Sequence, residues 1–134
     1  MKIESRVGKV QHAPEKIYKF IADFTNFDQI IPRDKVSEWS SSEDTCEFSL
    51  DLLGKTKLDI IEREPSKLVK IKSDDKISQY NFTLWVQIKS NLDELSYVKI
   101  TIEPHLNQVL LGMVKKPLKE FVDSMVSEIE NRQF

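Results

Sequence analysis

A chain of 134 residues, 40% of them hydrophobic, is long enough to bury its own core and reads as one domain over residues 1–134. Its 20 basic and 22 acidic residues leave a net charge of −2, which argues against a nucleic-acid partner, because phosphate binding needs a basic footprint. The one cysteine cannot close an internal disulfide, Lys2, Glu4, Arg6 and Lys9 interrupt any secretory apolar run, and no segment approaches membrane-span length, so a cytoplasmic protein without integral membrane association is expected.

The opening, KIESRVGKVQ, is strand-like though weakly alternating. Pro14 suits the first position of a helix, and Ile17, Phe20, Ile21 and Phe24 follow at i, i+3, i+4 and i+7 on one face. Thr25 or Asn26 can stop that helix and cap a second short turn carrying Phe27, Ile30 and Ile31, which ends before Pro32. Two such short helices bury little against each other, so they must cover something else. Val36 to Trp39 reads as a short strand, and Ser40 to Asp44 as a polar turn.

The middle of the chain alternates between turn signals, the pattern of an antiparallel meander. Cys46, Phe48 and Leu50 face one way, and Gly54 separates them from Leu58 and Ile60. Pro65-Ser66 turns the chain before Val69 and Ile71, and Asp74-Asp75 turns it again. From Gln79 to Ser90, Tyr80, Phe82, Leu84, Val86 and Ile88 share one face, while Asn81, Thr83, Trp85, Gln87 and Lys89 share the other. Asn91 to Glu94 is a turn, after which Val98, Ile100 and Ile102 continue the inward row as far as Pro104. The Asn81-Phe82-Thr83 sequon lies inside a strand, a poor place for a glycan, and is read as accidental.

The period then changes. Leu110, Val114, Leu118, Phe121, Met125 and Ile129 step by three or four residues from an N-cap at Asn107. Within this helix, VLLGMV (109 to 114) is apolar nearly all round, either because strand and loop bury it on both sides or because it forms an apolar mouth or a dimer contact. Gly112 and Pro117 predict a bend or a split that would make 107 to 115 a gate; alternatively, Pro117 merely begins the long helix. The basic cluster Lys115, Lys116, Lys119 reads as the solvated side of the same helix.

The expected fold class is therefore α+β: a curved antiparallel sheet of about six or seven strands around one long C-terminal helix, with two short helices after the first strand. A sheet wrapped around a helix leaves a gap at one end, and the short helices form its floor. This order resembles the helix-grip fold of the START, polyketide-cyclase and birch-pollen-allergen superfamily over essentially the whole chain. The stretch HAPEKIYKFIADFTNFDQIIP resembles that family's polar-Ala-Pro-Glu-x-hydrophobic-aromatic helix and following Asp-x-x-x-aromatic segment, here Ala13, Pro14, Glu15, Ile17, Tyr18, then Asp23 and Phe27. HLNQVLLGMVKKPLKEFVDSM resembles the terminal helix of small bacterial members.

The resemblance implies a cavity between sheet and helix for a small hydrophobic or amphipathic, lipid-like molecule, bound or carried without chemistry. Its walls would come from Phe24 and Phe27 of the floor, then Phe48, Leu50, Ile60, Ile71, Tyr80, Phe82, Leu84 and Ile100 of the sheet. Val114, Leu118, Phe121 and Met125 of the long helix would complete them. Phe48, Phe82, Phe121 and Met125 can also fill that space themselves. A cyclase- or hydrolase-like enzyme is the first alternative, but the inward rows offer no poised acid or base. His12 and His105 fall at strand ends with no ligand-like spacing, so neither a catalytic residue, a metal nor a cofactor is expected. A protein-interaction module using Trp85 on the outer face is the second alternative. The simpler reading of Trp85 is partial packing under long neighbours, and that of Glu62, Arg63 and Glu64 is a solvated strand end. Trp39 is placed to line a cavity mouth, and Cys46 reads as a small buried hydrophobe.

Overall fold

A computed structural model describes residues 1–51, 53–78, 80–92 and 95–134. Two short strands open the chain, β1 (Ile3–Glu4) and β2 (Gly8–Val10), followed by helix α1 (Pro14–Ile21) and a 3-10 helix (Phe24–Gln29). The meander β3 (Val36–Ser41), β4 (Thr45–Leu50), β5 (Gly54–Glu64), β6 (Leu68–Ser73), β7 (Phe82–Leu92) and β8 (Leu95–Pro104) leads into α2 (Gln108–Asn131). All pairings are antiparallel in an eight-stranded sheet running β1-β8-β7-β6-β5-β4-β3, with β2 also on β8. The starting residue expected for the central strand, Gln79, and Asp93 and Glu94 of the expected turn lie outside the described residues.

The opening segment is split because Ser5 interrupts the ladder. Its backbone N–H donates to the Ile100 carbonyl (2.8 Å), while its Oγ, in place of a carbonyl, accepts from the Ile100 N–H (2.8 Å). Arg6 then bulges toward α2. Its guanidinium donates to both carboxylate oxygens of Glu130 (2.8 and 3.4 Å) and to Ser127 Oγ (2.8 Å). Glu130 also accepts from the Lys9 N–H (2.8 Å), and Asp123 accepts from the Arg6 N–H (2.8 Å). The Arg6 guanidinium, and then the Lys9 N–H, hold the Glu130 carboxyl below the usual carboxylate range. A depressed folded-state value means that the clamp stabilises the fold above the unfolded-state pKa and is lost as pH falls through the folded one. Glu130→Gln should therefore cost about 0.5–1 kcal/mol at neutral pH, screened by its partial exposure, and the penalty should fade under acid. Urea denaturation of both proteins across the acidic range checks this; parallel stability–pH curves would contradict it.

The floor differs from expectation in its caps. Asp23, not Thr25 or Asn26, caps the 3-10 helix: its Oδ1 accepts from the Thr25 N–H (2.9 Å) and Oγ1 (2.6 Å). The short Asp side chain reaches forward to the orphan donors from one residue before the helix. Asn26 instead donates to the Phe20 carbonyl (3.0 Å). Arg63 is not simply solvated. From β5 it donates twice to the Ala22 carbonyl at the end of α1 (3.1 and 3.0 Å), satisfying an orphan acceptor, and pairs with Asp44. Phe24 and Phe27 meet edge to face, centroids 5.0 Å apart, beneath the sheet.

Helix α2 is continuous through Pro117, so it neither splits there nor begins there. Asn107 caps it, Oδ1 accepting from the Leu110 N–H (2.9 Å). Val114, Leu118, Phe121, Val122, Met125, Val126 and Ile129 are its buried stripe. The first turns do not fulfil the reading of a segment buried on both sides: Val109 is 76% and Met113 63% exposed, and a Cβ on Gly112 would meet nothing within 4 Å. On the outer sheet face, Trp85 lies between the ammonium groups of Lys2 and Lys70, 4.9 and 5.7 Å from its ring. Long neighbours cover it, as the simpler reading has it. Thr83, which alternation assigns to the face opposite Phe82, is nevertheless buried, as is Thr101 of β8.

Candidate functional site

Two residues of unusual backbone shape the concave side. Glu38 adopts φ 57° within the β3 bulge between Ser37 and Ser40, which rotates the strand and sets the Trp39 ring on Phe48, centroids 5.4 Å apart and 28° from parallel. Gly54, at φ 76°, starts β5 where the chain leaves the turn after β4. Between these strands and α2 lies a small void of about 20 Å³, little more than one water occupies. Phe27, Phe48, Ile71, Leu84, Phe121 and Met125 line it, together with Ile31, Val36, Trp39 and Leu58. Its walls are apolar except for Trp39, whose indole N–H is buried with no acceptor among the described residues.

A second, larger pocket of about 210 Å³ opens to solvent beside Pro117. Leu50, Leu118 and Phe121 form its apolar floor, and Lys35 and Asp51 stand at its rim. Phe121, only 7% exposed, is a wall of both the pocket and the void. The Asp51 N–H donates to the Lys35 carbonyl (2.9 Å), which ties the two rim segments together. Lys35 Nζ lies 3.5 Å from Glu120 Oε2 on α2.

A third pocket, of about 50 Å³, lies at the start of α2 between Tyr80, Val114, Leu53, Leu106, Leu110 and Met113. Phe24, Phe82 and Ile100 are buried in the core and Ile60 is half-buried, and none of them lines these cavities. Sequence reasoning missed Lys35 and Asp51. Both are polar turn residues, and of the pocket's lining the sequence pointed to Leu50, Pro117, Leu118 and Phe121 instead.

The other reactive groups lie elsewhere. His12 packs edge to face on Phe134 at 5.4 Å, and His105 Nε2 shares a hydrogen bond with Thr83 Oγ1 (3.2 Å) on the outer side. Burial pushes the Cys46 thiol far up, which suppresses the thiolate that reacts. Asp74 is a turn residue, its Oδ1 accepting from the N–H groups of Lys76 (2.8 Å) and Ile77 (3.1 Å). Among the described residues, no three His, Cys, Asp or Glu side chains converge as metal ligands, and no helix is long and apolar enough to cross a membrane.

An antiparallel sheet closed around one long helix and floored by two short ones is the helix-grip fold, and this chain has it. No family model and no curated protein matches the chain. Solved structures do match in fold. A START superfamily protein from Mycobacterium smegmatis superposes with a TM-score of 0.75 at 11% identity, over 98% of this chain and 95% of that one. XoxI from Bacillus cereus gives 0.72 at 9%, over 96% and 92%. A Thalictrum norcoclaurine synthase point mutant, solved with a transition-state analogue, gives 0.70 at 9%, over 96% and 93%.

Proposed function

We propose that this chain is a cytosolic binder or carrier of one small apolar or amphipathic molecule, held between the sheet and α2, without chemistry of its own. One observation carries the reading: a pocket with an apolar floor beside Pro117 adjoins a small, largely apolar void between the sheet and α2, and a single side chain, Phe121, borders both. Ligand sites are typically concave and apolar with a few polar groups at one end, which is the character of this pair. The open pocket, at about 210 Å³, is larger than the ~150 Å³ cavity that takes up benzene and smaller than the ~300–1,000 Å³ of drug-sized sites. A compact ligand follows from that size. The helix-grip fold supports the reading as an analogy of architecture.

Native mass spectrometry of protein purified without detergent should show a retained small-molecule mass at one equivalent. Titration with an apolar fluorophore should saturate. Neither a retained mass nor saturable binding would end this reading. The exposed Val109 and Met113 favour a second one, a contact with another copy or another protein, and the same spectra would report it as a heavier species.

A further inference from the structure

The geometry points to the pocket beside Pro117 as the entrance and polar end of the binding site, selective for an apolar molecule ending in a hydrogen-bond donor, with Phe121 as its door. This rests on the small-molecule reading above. Phe121 projects from the buried stripe of α2, and turning its ring aside is the shortest way to join the open pocket to the void. Met125 borders the void on the same helix, and its unbranched thioether can repack around whatever enters.

The rim sets the chemistry. Its lining carries one ammonium, Lys35, and one carboxylate, Asp51, and Glu120 of α2 stands 3.5 Å from the Lys35 ammonium. Lys35 is engaged by Glu120, whereas the Asp51 carboxylate accepts no hydrogen bond among the described residues. With Lys35 engaged by Glu120, the Asp51 carboxylate is the lining group left to meet a ligand. A hydroxyl or an amine at the end of the ligand meets Asp51 favourably, while a carboxylate is repelled by Asp51 and has to compete with Glu120 for Lys35.

Octanol, octylamine and octanoate share one apolar body and differ only at the end, so displacement titrations with them at neutral pH isolate this choice. Octanol and octylamine should bind about tenfold or more tighter than octanoate, the ratio that one charge-assisted hydrogen bond supplies. Asp51→Asn should shrink the octylamine–octanoate gap several-fold. Stopped-flow entry of octylamine should quicken in Phe121→Leu, and should slow about tenfold in Asp51→Trp, which plugs the mouth from an exposed position without touching the core. Leu110→Trp, in the separate pocket at the start of α2, should leave the rate unchanged. If octanoate binds as tightly as the others, or if entry responds to Leu110→Trp and not to Asp51→Trp, the assignment falls while small-molecule binding stands. If none of the three binds to the wild type or to Phe121→Leu, the binding reading itself falls.

Discussion

Phe82→Ala should lower stability by about 3–5 kcal/mol, and Thr83→Ala by only about 1 kcal/mol. The two neighbours stand on opposite faces of β7. Phe82 is 3% exposed, pairs with Pro104 of β8, and lines none of the three pockets, so removing its ring opens a new cavity within close-packed core. Its backbone N–H is held by Ser73 Oγ at 2.9 Å, which leaves the strand little freedom to collapse into the space. Thr83 is also buried, but on the outer face, where truncation removes one hydroxyl contact with His105 and one methyl. Urea denaturation of both variants measures the difference. Equal losses would mean that β7 is shifted by one residue against β8, because a single slip moves every side chain to the other face.

That register was legible for a simple reason. Where one face of a strand is buried and the other is not, the alternation of residue types repeats the alternation of side-chain directions. Leu68–Ser73 and the row from Phe82 to Ile88 follow from it directly. Departures occur where a residue distant in sequence satisfies a local need. Ser5 replaces a carbonyl because Ile100 presents its N–H there, and Arg63 caps α1 across the fold. The central strand begins at Phe82, not earlier, because Ser73 rather than a strand partner takes its N–H. Nothing in the local pattern carries those partners.

The candidate site was legible in its walls and illegible in its shape. Alternation says that Phe48, Ile71, Leu84 and Phe82 all point inward, but not how closely the opposing rows approach. The first three border the void while Phe82 is packed solid. The polar rim went unseen because Lys35 and Asp51 sit in turns, where a charged residue ordinarily signifies nothing but solvent. The β3–β4 ladder, which pairs Val36 with Leu50, and the hydrogen bond between their backbones bring them to one mouth. The apolar run 109 to 114 misled in the other direction. Its composition implies burial, yet a helix packs one stripe, and only Val114 of that run is buried.

Gly8→Ala should cost about 1–3 kcal/mol although it adds a single methyl group. Gly8 pairs with Val98 in the sheet, and its backbone φ is not in the left-handed region, so conformational freedom is not its purpose. What matters is the approach of α2. A Cβ at Gly8 would lie 2.5 Å from Val126 Cγ1, closer than real contacts allow, with Glu130 Oε2 at 3.5 Å and the Val126 carbonyl at 3.7 Å. Val126 is fully buried and β-branched, so its methyl cannot swing away cheaply. The helix or β2 has to move instead, and such a movement also pulls Glu130 from the Lys9 N–H and from Arg6. Val126→Ala removes the obstructing methyl, so the double variant should be more stable than the sum of the two single losses implies, by a coupling of about 0.5–3 kcal/mol. Strictly additive losses in a double-mutant cycle would show that the contact between β2 and α2 does not set the cost.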